Sequence, residues 1–147
     1  MNKDSHTTSC IDQCTLIELG KHHHPNGNLT VVENSTLIPF DIERVFYIYD
    51  VPGGEERGGH SHKGLQQIIV AISGAFDVLL DDGINQRSVT LNRPYQGLLV
   101  VPGIWSKQYN FSSGAVCLVL ASSHFDESDY VRDYNEFKQL TSSKRVK

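Results

Sequence analysis

The sequence predicts an all-β fold, a β-sandwich or small barrel, followed by one C-terminal helix. Short stretches rich in Val, Ile, Leu, Phe and Tyr alternate with turn signals at intervals of roughly 8–12 residues. From residue 126 onward the apolar spacing changes to that of an amphipathic helix. A chain of 147 residues can bury one core without disulfides or structural metal, so a single domain over residues 1–147 is expected.

Ten strands follow from the runs of β-branched and aromatic residues. They are predicted at residues 14–19, 28–33, 44–49, 57–62, 66–72, 75–80, 86–91, 97–101, 107–111 and 115–121. Ser73-Gly74 joins two of these runs, and Asp81-Asp82-Gly83 ends the second. Turn chemistry accounts for both aspartates, and residues 66–91 are predicted to form consecutive antiparallel hairpins.

The helix is predicted over residues 126–140. Tyr130, Tyr134 and Phe137 follow the i, i+4, i+7 spacing of a helix face, and Asp126 with Asp129 resembles an N-terminal capping arrangement. The aromatic stripe is expected to pack on the sheet. Residues 1–12 are expected to be flexible, and residues 141–147 to form a solvated tail.

Composition excludes several classes of function. Lys and Arg number 13 against 17 Asp and Glu, a net charge of −4, so no basic surface is available for nucleic acid. No apolar run approaches the ~18 residues that cross a membrane, and the first ten residues are polar, so a signal sequence is not expected. The three cysteines show no CxxC spacing and are interpreted as reduced thiols, so a cytoplasmic protein is expected.

The chemistry is expected at His60-Ser61-His62. Side chains alternate along a strand, so both imidazoles point to the same face. If that face is the barrel interior, the two rings share one pocket. A surface pair without a function is the alternative interpretation of these two residues alone.

The spacing around this pair resembles the first motif of the cupin superfamily. Gly54, His60, His62, Gln67 and Gly74 stand at the separations of that motif, with Gln67 at the position of its Glu. The second motif resembles the segment from Gly97 through Pro102-Gly103, with Ser106 at its His position and Asn110 at its Asn position. The resemblance implies a cupin-type double-stranded β-helix, or jelly-roll barrel.

These departures bear on metal binding. A cupin metal site draws on two His, one Glu and a third His, of which only His60 and His62 are present. Two imidazoles are fewer than the three protein ligands typical of catalytic zinc or iron sites, so neither a metal nor another cofactor is expected. The histidines then act as acid–base groups, which favours isomerisation or epimerisation next to a carbonyl.

Over residues 27–140 the sequence resembles the metal-independent cupins that act as dTDP-sugar 3,4-ketoisomerases in deoxysugar biosynthesis. The resemblance rests on several segments: 38–40, 44–50, 57–63, 79–83, 102–105, 120–122 and 125–134. It implies a dTDP-linked 4-keto-6-deoxyhexose as substrate, a ketone moved from C4 to C3, and a homodimer with exchanged N-terminal strands.

The resemblance also implies roles for individual residues. His60 is expected to be the base that carries the proton from C3 to C4, and His62 to orient the sugar or exchange protons with its oxygens. Arg57 is expected to neutralise the enediolate or the diphosphate. The other expected substrate-binding residues are Tyr47, Tyr49, Gln67, Trp105 and Tyr109.

Some of these roles depend on the fold. Tyr47 and Tyr49 share one strand face, and Phe46 and Ile48 share the other, so either pair can form the aromatic wall of the pocket. Trp105 and Tyr109 either stack on thymine or, for the Trp, pack in the core. Phe46 stands where the family often carries Tyr, and Asn26 where it often carries Arg.

Three other functions stay open from the sequence. A 3,5-epimerase of the same sugar class has a similar fold and needs a base paired with a tyrosine acid. A non-catalytic sugar-nucleotide-binding module fits the departures at Asn26 and Phe46. A metal-dependent cupin dioxygenase is the third alternative.

Overall fold

The computed structural model describes residues 9–145 of the chain, which form two β-sheets, a small hairpin and a C-terminal helix. The twelve strands are β1 (Leu16–Glu18), β2 (His22–His24), β3 (Gly27–Leu29), β4 (Arg44–Ile48), β5 (Arg57–His62), β6 (Gln67–Ser73), β7 (Phe76–Asp81), β8 (Gln86–Leu91), β9 (Gln96–Val100), β10 (Trp105–Tyr109), β11 (Val116–Ala121) and β12 (Tyr130–Val131). The helix α1 spans Tyr134–Arg145, and single 3₁₀ turns lie at Ile11–Gln13 and Glu127–Asp129. The predicted all-β fold with one C-terminal helix is confirmed.

The two sheets face each other as in a jelly roll. One has the strand order β1-β9-β6-β11-β4 and the other β12-β5-β10-β7-β8, with all pairs antiparallel. Alternate side chains of both sheets fill the space between them, including the fully buried Ile69, Val78, Leu80 and Leu98. The barrel is open where the edge strand β4 faces β5 and β12.

The first sheet also has an apolar outer face. Ile68, Val70 and Leu120 point away from the barrel and are covered by Leu19, Ile38 and neighbouring side chains. This alternation means that consecutive residues of β4 and β11 belong to opposite sides of the sheet. It decides which side chains of β4 reach the barrel interior.

The C-terminal region differs from the prediction at both ends of the helix. Asp126 caps only the 3₁₀ turn by accepting a hydrogen bond from the Ser128 amide, and Tyr130–Val131 then pairs with β5. The helix begins at Tyr134 and continues to Arg145. The carboxylate of Asp133, just before it, accepts a hydrogen bond from the Glu136 amide. Residues 141–145 therefore belong to the helix, whereas 146 and 147 lie outside the described residues.

From residue 9 onward the N-terminal segment contacts the rest of the domain, and positions 1–8 lie outside the described residues. Ile11 is buried, and its amide donates to the buried Asp82 carboxylate. The same carboxylate accepts the Ile84 and Asn85 amides, and the Asp82 carbonyl accepts a bond from Arg145. Asp82 therefore ties the first turn of the described chain to its last helix, a role beyond turn chemistry.

The strand predicted at residues 28–33 is shorter and lies in a hairpin. Gly27–Leu29 forms β3 and pairs with β2 at His22–His24, and the residues of both strands are exposed. Among the described residues, no helix has the length and apolar character needed to cross a membrane. All three cysteines are free.

Candidate active site

A cleft with a volume of about 260 Å³ opens between β4 and the β5–β12 edge. Its walls combine mainly apolar side chains from the first sheet, together with Gln67 of β6, and polar and charged side chains from the second. The lining residues are Phe46, Tyr47, Ile48, Arg57, Gly58, His60, Gln67, Gln108, Val119, Tyr130 and Arg132. A larger apolar groove of about 540 Å³ lies on the outer face of the first sheet, lined by neither histidine of the motif.

A β-bulge at Gly59 brings Arg57 and His60 to the same side of β5. Arg57 pairs with Gln108 and His60 with Ser106, so Gly59 is the extra residue on the bulged strand. Gly58 and Gly59 both adopt positive φ angles, 85° and 81°, which glycine tolerates best. Residues three apart would lie on opposite faces of a regular strand, and the bulge reverses this.

His60, His62 and Tyr130 form a compact ring cluster at one end of the cleft. The ring centroids are 4.9 Å apart for His60–His62, 4.9 Å for His60–Tyr130 and 4.4 Å for His62–Tyr130. The two histidines thus share one face of β5, as predicted from the sequence. Tyr130 reaches them because β12 pairs with β5 in the register Tyr130 to His62.

Burial keeps His60 neutral near physiological pH. Burial, with smaller contributions from His62 and Arg132, lowers the pKa of His60 to about 4. A neutral imidazole has a free ring nitrogen that can accept a proton. His60 also lines the cleft, so it combines a neutral ring with access to a ligand, as a general base requires.

His62 is held by Asp129. Its Nδ1 lies 2.9 Å from the Asp129 Oδ2, and the other carboxylate oxygen accepts the Gly64 amide at 2.7 Å. An ionised carboxylate only accepts hydrogen bonds, so Nδ1 of His62 carries the proton in this pair. Burial lowers the pKa of His62, against the opposing effect of the bond to Asp129. Because His62 is only 6% exposed, it supports the cleft from behind.

Two further arginines surround the ring cluster. The Arg132 guanidinium lies 4.2 Å from the Tyr130 centroid and forms two bonds to the Glu127 carboxylate, at 2.6 and 3.0 Å. Arg44 stacks on Phe46 and Phe125, and its buried Nε has no hydrogen-bond partner among residues 9–145. These guanidiniums add positive charge around an otherwise apolar wall.

The structure brings four of the predicted site residues together: His60, Arg57 and Gln67 line the cleft, and His62 lies directly behind it. Tyr47 borders the cleft between Phe46 and Ile48. Alternation along β4 directs its ring to the outer face, where it is 61% exposed and lies 5.8 Å from the Tyr49 ring. Phe46 and Ile48, which pack against the core, thus supply the wall on the cleft side.

Trp105 and Tyr109 do not line the cleft. Ser106 and Gln108 of β10 pair with His60 and Arg57 of β5 and therefore lie on the cleft side. Trp105 and Tyr109 alternate with them and lie on the opposite face. Trp105 packs against Val131 and Phe137 beneath α1. The Tyr109 hydroxyl bonds to Ser88 at the far edge of the sheet.

Four residues of the site were not proposed from the sequence: Gln108, Asp129, Tyr130 and Arg132. The spacing of Tyr130 and Tyr134 fits a helix, although Tyr130 belongs to a strand. Asp129 was predicted to belong to a helix-capping arrangement, and the spacing of Arg132 does not distinguish it from a surface charge. A buried amide at Gln108 shares its face with Ser106 and was detectable only through the second cupin motif.

A jelly-roll barrel with paired histidines in its open end defines a cupin. No group of three His, Cys, Asp or Glu side chains arranged for a metal occurs within residues 9–145. The family described as "FdtA: WxcM-like, C-terminal" matches residues 12–142. The chain belongs to this family.

Named relatives agree with this assignment. A TDP-4-oxo-6-deoxy-alpha-D-glucose-3,4-oxoisomerase from Aneurinibacillus thermoaerophilus is 46% identical over 124 residues, covering 84% of this chain and 89% of the relative. A 3,4-ketoisomerase structure from Helicobacter canadensis is 39% identical with a TM-score of 0.85, covering 88% of this chain and 97% of that one. A His-to-Asn variant of the 3,4-ketoisomerase QdtA from Thermoanaerobacterium thermosaccharolyticum, solved with TDP-4-keto-6-deoxyglucose, is 34% identical with a TM-score of 0.88, covering 91% and 97%. The predicted family and the predicted isomerase are confirmed.

Proposed function

We propose that the protein is a 3,4-ketoisomerase that converts a dTDP-linked 4-keto-6-deoxyhexose to its 3-keto isomer. Family membership and the names of the relatives support the substrate class. The observation that carries the proposal is His60, an imidazole kept neutral by burial that lines the same cleft as Arg57. A neutral base and a nearby cation are what deprotonation next to a ketone requires.

In the proposed reaction His60 removes the proton from C3, which the neighbouring C4 ketone makes acidic. The resulting enediol or enediolate then receives a proton from His60 at C4, leaving the ketone at C3. His62, fixed by Asp129, positions the His60 ring through their edge contact. Gln67 offers a neutral amide to the sugar hydroxyls, and the Arg57 guanidinium pairs with the diphosphate or the enediolate.

The reaction is proposed to proceed without a metal, because the donor set is poor. The positions of the cupin Glu and of its third His hold Gln67 and Ser106. An amide and a hydroxyl do not replace two strong ligands. The free cysteines support the cytoplasm as the proposed compartment.

A homodimer with exchanged N-terminal strands is also part of the proposal. The apolar groove on the outer face of the first sheet is the surface that a second copy would cover, and Ile72 in its lining is 45% exposed. The edge strand β1 contributes only three paired positions, so a partner's equivalent strand can replace it without loss of hydrogen bonds. Ile72→Glu should shift the sedimentation coefficient to that of a monomer. Ile84→Glu, at a turn outside the groove where the side chain is 63% exposed, should leave it unchanged.

The activity is tested by incubating the protein with dTDP-4-keto-6-deoxyglucose in deuterated buffer and following the sugar by NMR. Movement of the ketone to C3, with hydrogen or deuterium delivered to C4, is the expected result. Deuterium at C3 and C5 with the ketone unmoved would indicate a 3,5-epimerase. Binding of dTDP with no change at any sugar carbon would indicate a binding module.

A further inference from the structure

Moving a ketone between adjacent carbons needs two proton transfers, and this inference rests on the proposed function. One hydrogen leaves C3 and one arrives at C4, the transfer assigned above to His60. A second hydrogen leaves the oxygen on C3 and one arrives at the oxygen on C4. A group that both gives and accepts a proton must therefore face the two oxygens.

Most side chains of the cleft cannot supply this second transfer. Arg57 and Arg132 carry guanidinium groups, which do not act as bases in proteins, and the amides of Gln67 and Gln108 do not exchange a proton in this way. The remaining wall, including Phe46 and Val119, is apolar.

His62 and Tyr47 are also unsuitable. The His62 ring is almost fully buried, is not part of the cleft lining, and has its Nδ1 bonded to Asp129. Tyr47 borders the cleft, but strand alternation directs its phenol to the outer face. Among the described lining residues, this leaves the phenol of Tyr130.

The surroundings of Tyr130 fix its ring beside the proposed base. Its centroid is 4.9 Å from that of His60, and its backbone pairs with His62 across the sheet. Arg132 lies over the ring face at 4.2 Å and is itself held by Glu127. A cation in this position offsets negative charge that develops on the tyrosine as its proton leaves.

We propose that Tyr130 is a catalytic residue that transfers the proton between the two sugar oxygens. Its hydroxyl gives a proton to the C4 oxygen while His60 takes the proton from C3, which yields the neutral enediol. The Tyr130 oxygen then takes the proton from the C3 hydroxyl as His60 returns its own proton to C4. Both residues end in their starting states, and no oxidant, reductant or co-reactant is consumed.

The test is Tyr130→Phe, which removes one oxygen and retains the ring that packs on both histidines. We expect the rate of ketone transfer to fall by about 100-fold, a typical effect of losing one acid–base group. Exchange of the C3 hydrogen with deuterated solvent should fall less, since His60 remains. The dTDP dissociation constant and the melting temperature should stay close to those of the unmutated protein. Tyr134→Phe is the matched control, because its phenol bonds to Asp81 outside the cleft.

The outcomes separate this inference from the proposed function. An unchanged rate of ketone transfer in Tyr130→Phe would overturn the role of Tyr130 and leave the isomerase intact. Equal losses of exchange, transfer and dTDP affinity would also overturn it, since they indicate a packing role. If the unmutated protein moves no ketone, both proposals fail.

Discussion

The depressed pKa of His60 predicts a measurable loss of stability in acid. Burial lowers this pKa from the ordinary value of 6.5 to about 4. Between these two values the unfolded chain binds a proton that the folded protein rejects, so the free energy of unfolding falls as the pH drops. The contribution of this one group is about 2 kcal/mol lost by pH 5 and about 3 kcal/mol below pH 4.

Urea unfolding between pH 7 and pH 4 measures this loss. Carboxylates also titrate in this range, so the relevant quantity is the difference between the unmutated protein and His60→Asn. The variant should lose about 2 kcal/mol less than the unmutated protein on going from pH 7 to pH 5. His22→Asn, on the exposed β2 hairpin, is the matched control and should show the full loss.

The same pKa predicts the pH profile of catalysis. kcat/KM should stay level from pH 8 to about pH 5 and fall in the region of pH 4, since it reports the base of the free enzyme. Two results together would refute a buried, neutral His60. The first is an acid limb of kcat/KM centred at pH 6.5. The second is an equal loss of unfolding free energy, from pH 7 to pH 5, in His60→Asn and the unmutated protein.

Three further predictions concern the supports of the cleft. Gly58→Ala should lower stability and turnover more than Gly54→Ala. Both glycines have positive φ, but only at Gly58 would the new Cβ lie about 3 Å from the β10 backbone and the Gln108 side chain. Equal effects in thermal melts and rate assays would argue against the bulge as a constraint. Asp129→Asn should reduce kcat about tenfold or more with little change in KM, because His62 loses its charged partner; a change confined to KM would contradict this positioning role. Asp82→Asn should lower the free energy of unfolding by about 1–3 kcal/mol in urea without altering kcat, and an unchanged midpoint would show that its hydrogen bonds contribute little.

The sequence predicted the two neighbouring rings of the candidate site, because strand alternation depends only on residues close together in the chain. His60 and His62 are two residues apart on one strand, so alternation alone places their rings together. Gln67 followed from motif spacing and also lines the cleft. The same alternation left two faces of β4 equivalent, and only the packing of Phe46 and Ile48 against the core decides between them.

The parts that the sequence could not predict depend on pairing between distant segments. The bulge at Gly59 becomes apparent only from the register between β5 and β10, and it determines the side on which Arg57 lies. Tyr130 fits the helical spacing with Tyr134 by coincidence, whereas its hydrogen bonds to β5 make it part of a strand. The same register decides which alternate residues of β10 face the cleft, and it places Trp105 and Tyr109 on the other face.

The linkage at Asp82 couples the two ends of the described chain. This carboxylate accepts the amide of Ile11, and the carbonyl of the same residue accepts a bond from Arg145. If the first turn detaches, a buried charge loses a donor and the helix loses a stable anchor. Fraying at residue 11 and fraying at residue 145 are therefore cooperative, so hydrogen exchange at the two ends should rise together when either end is shortened.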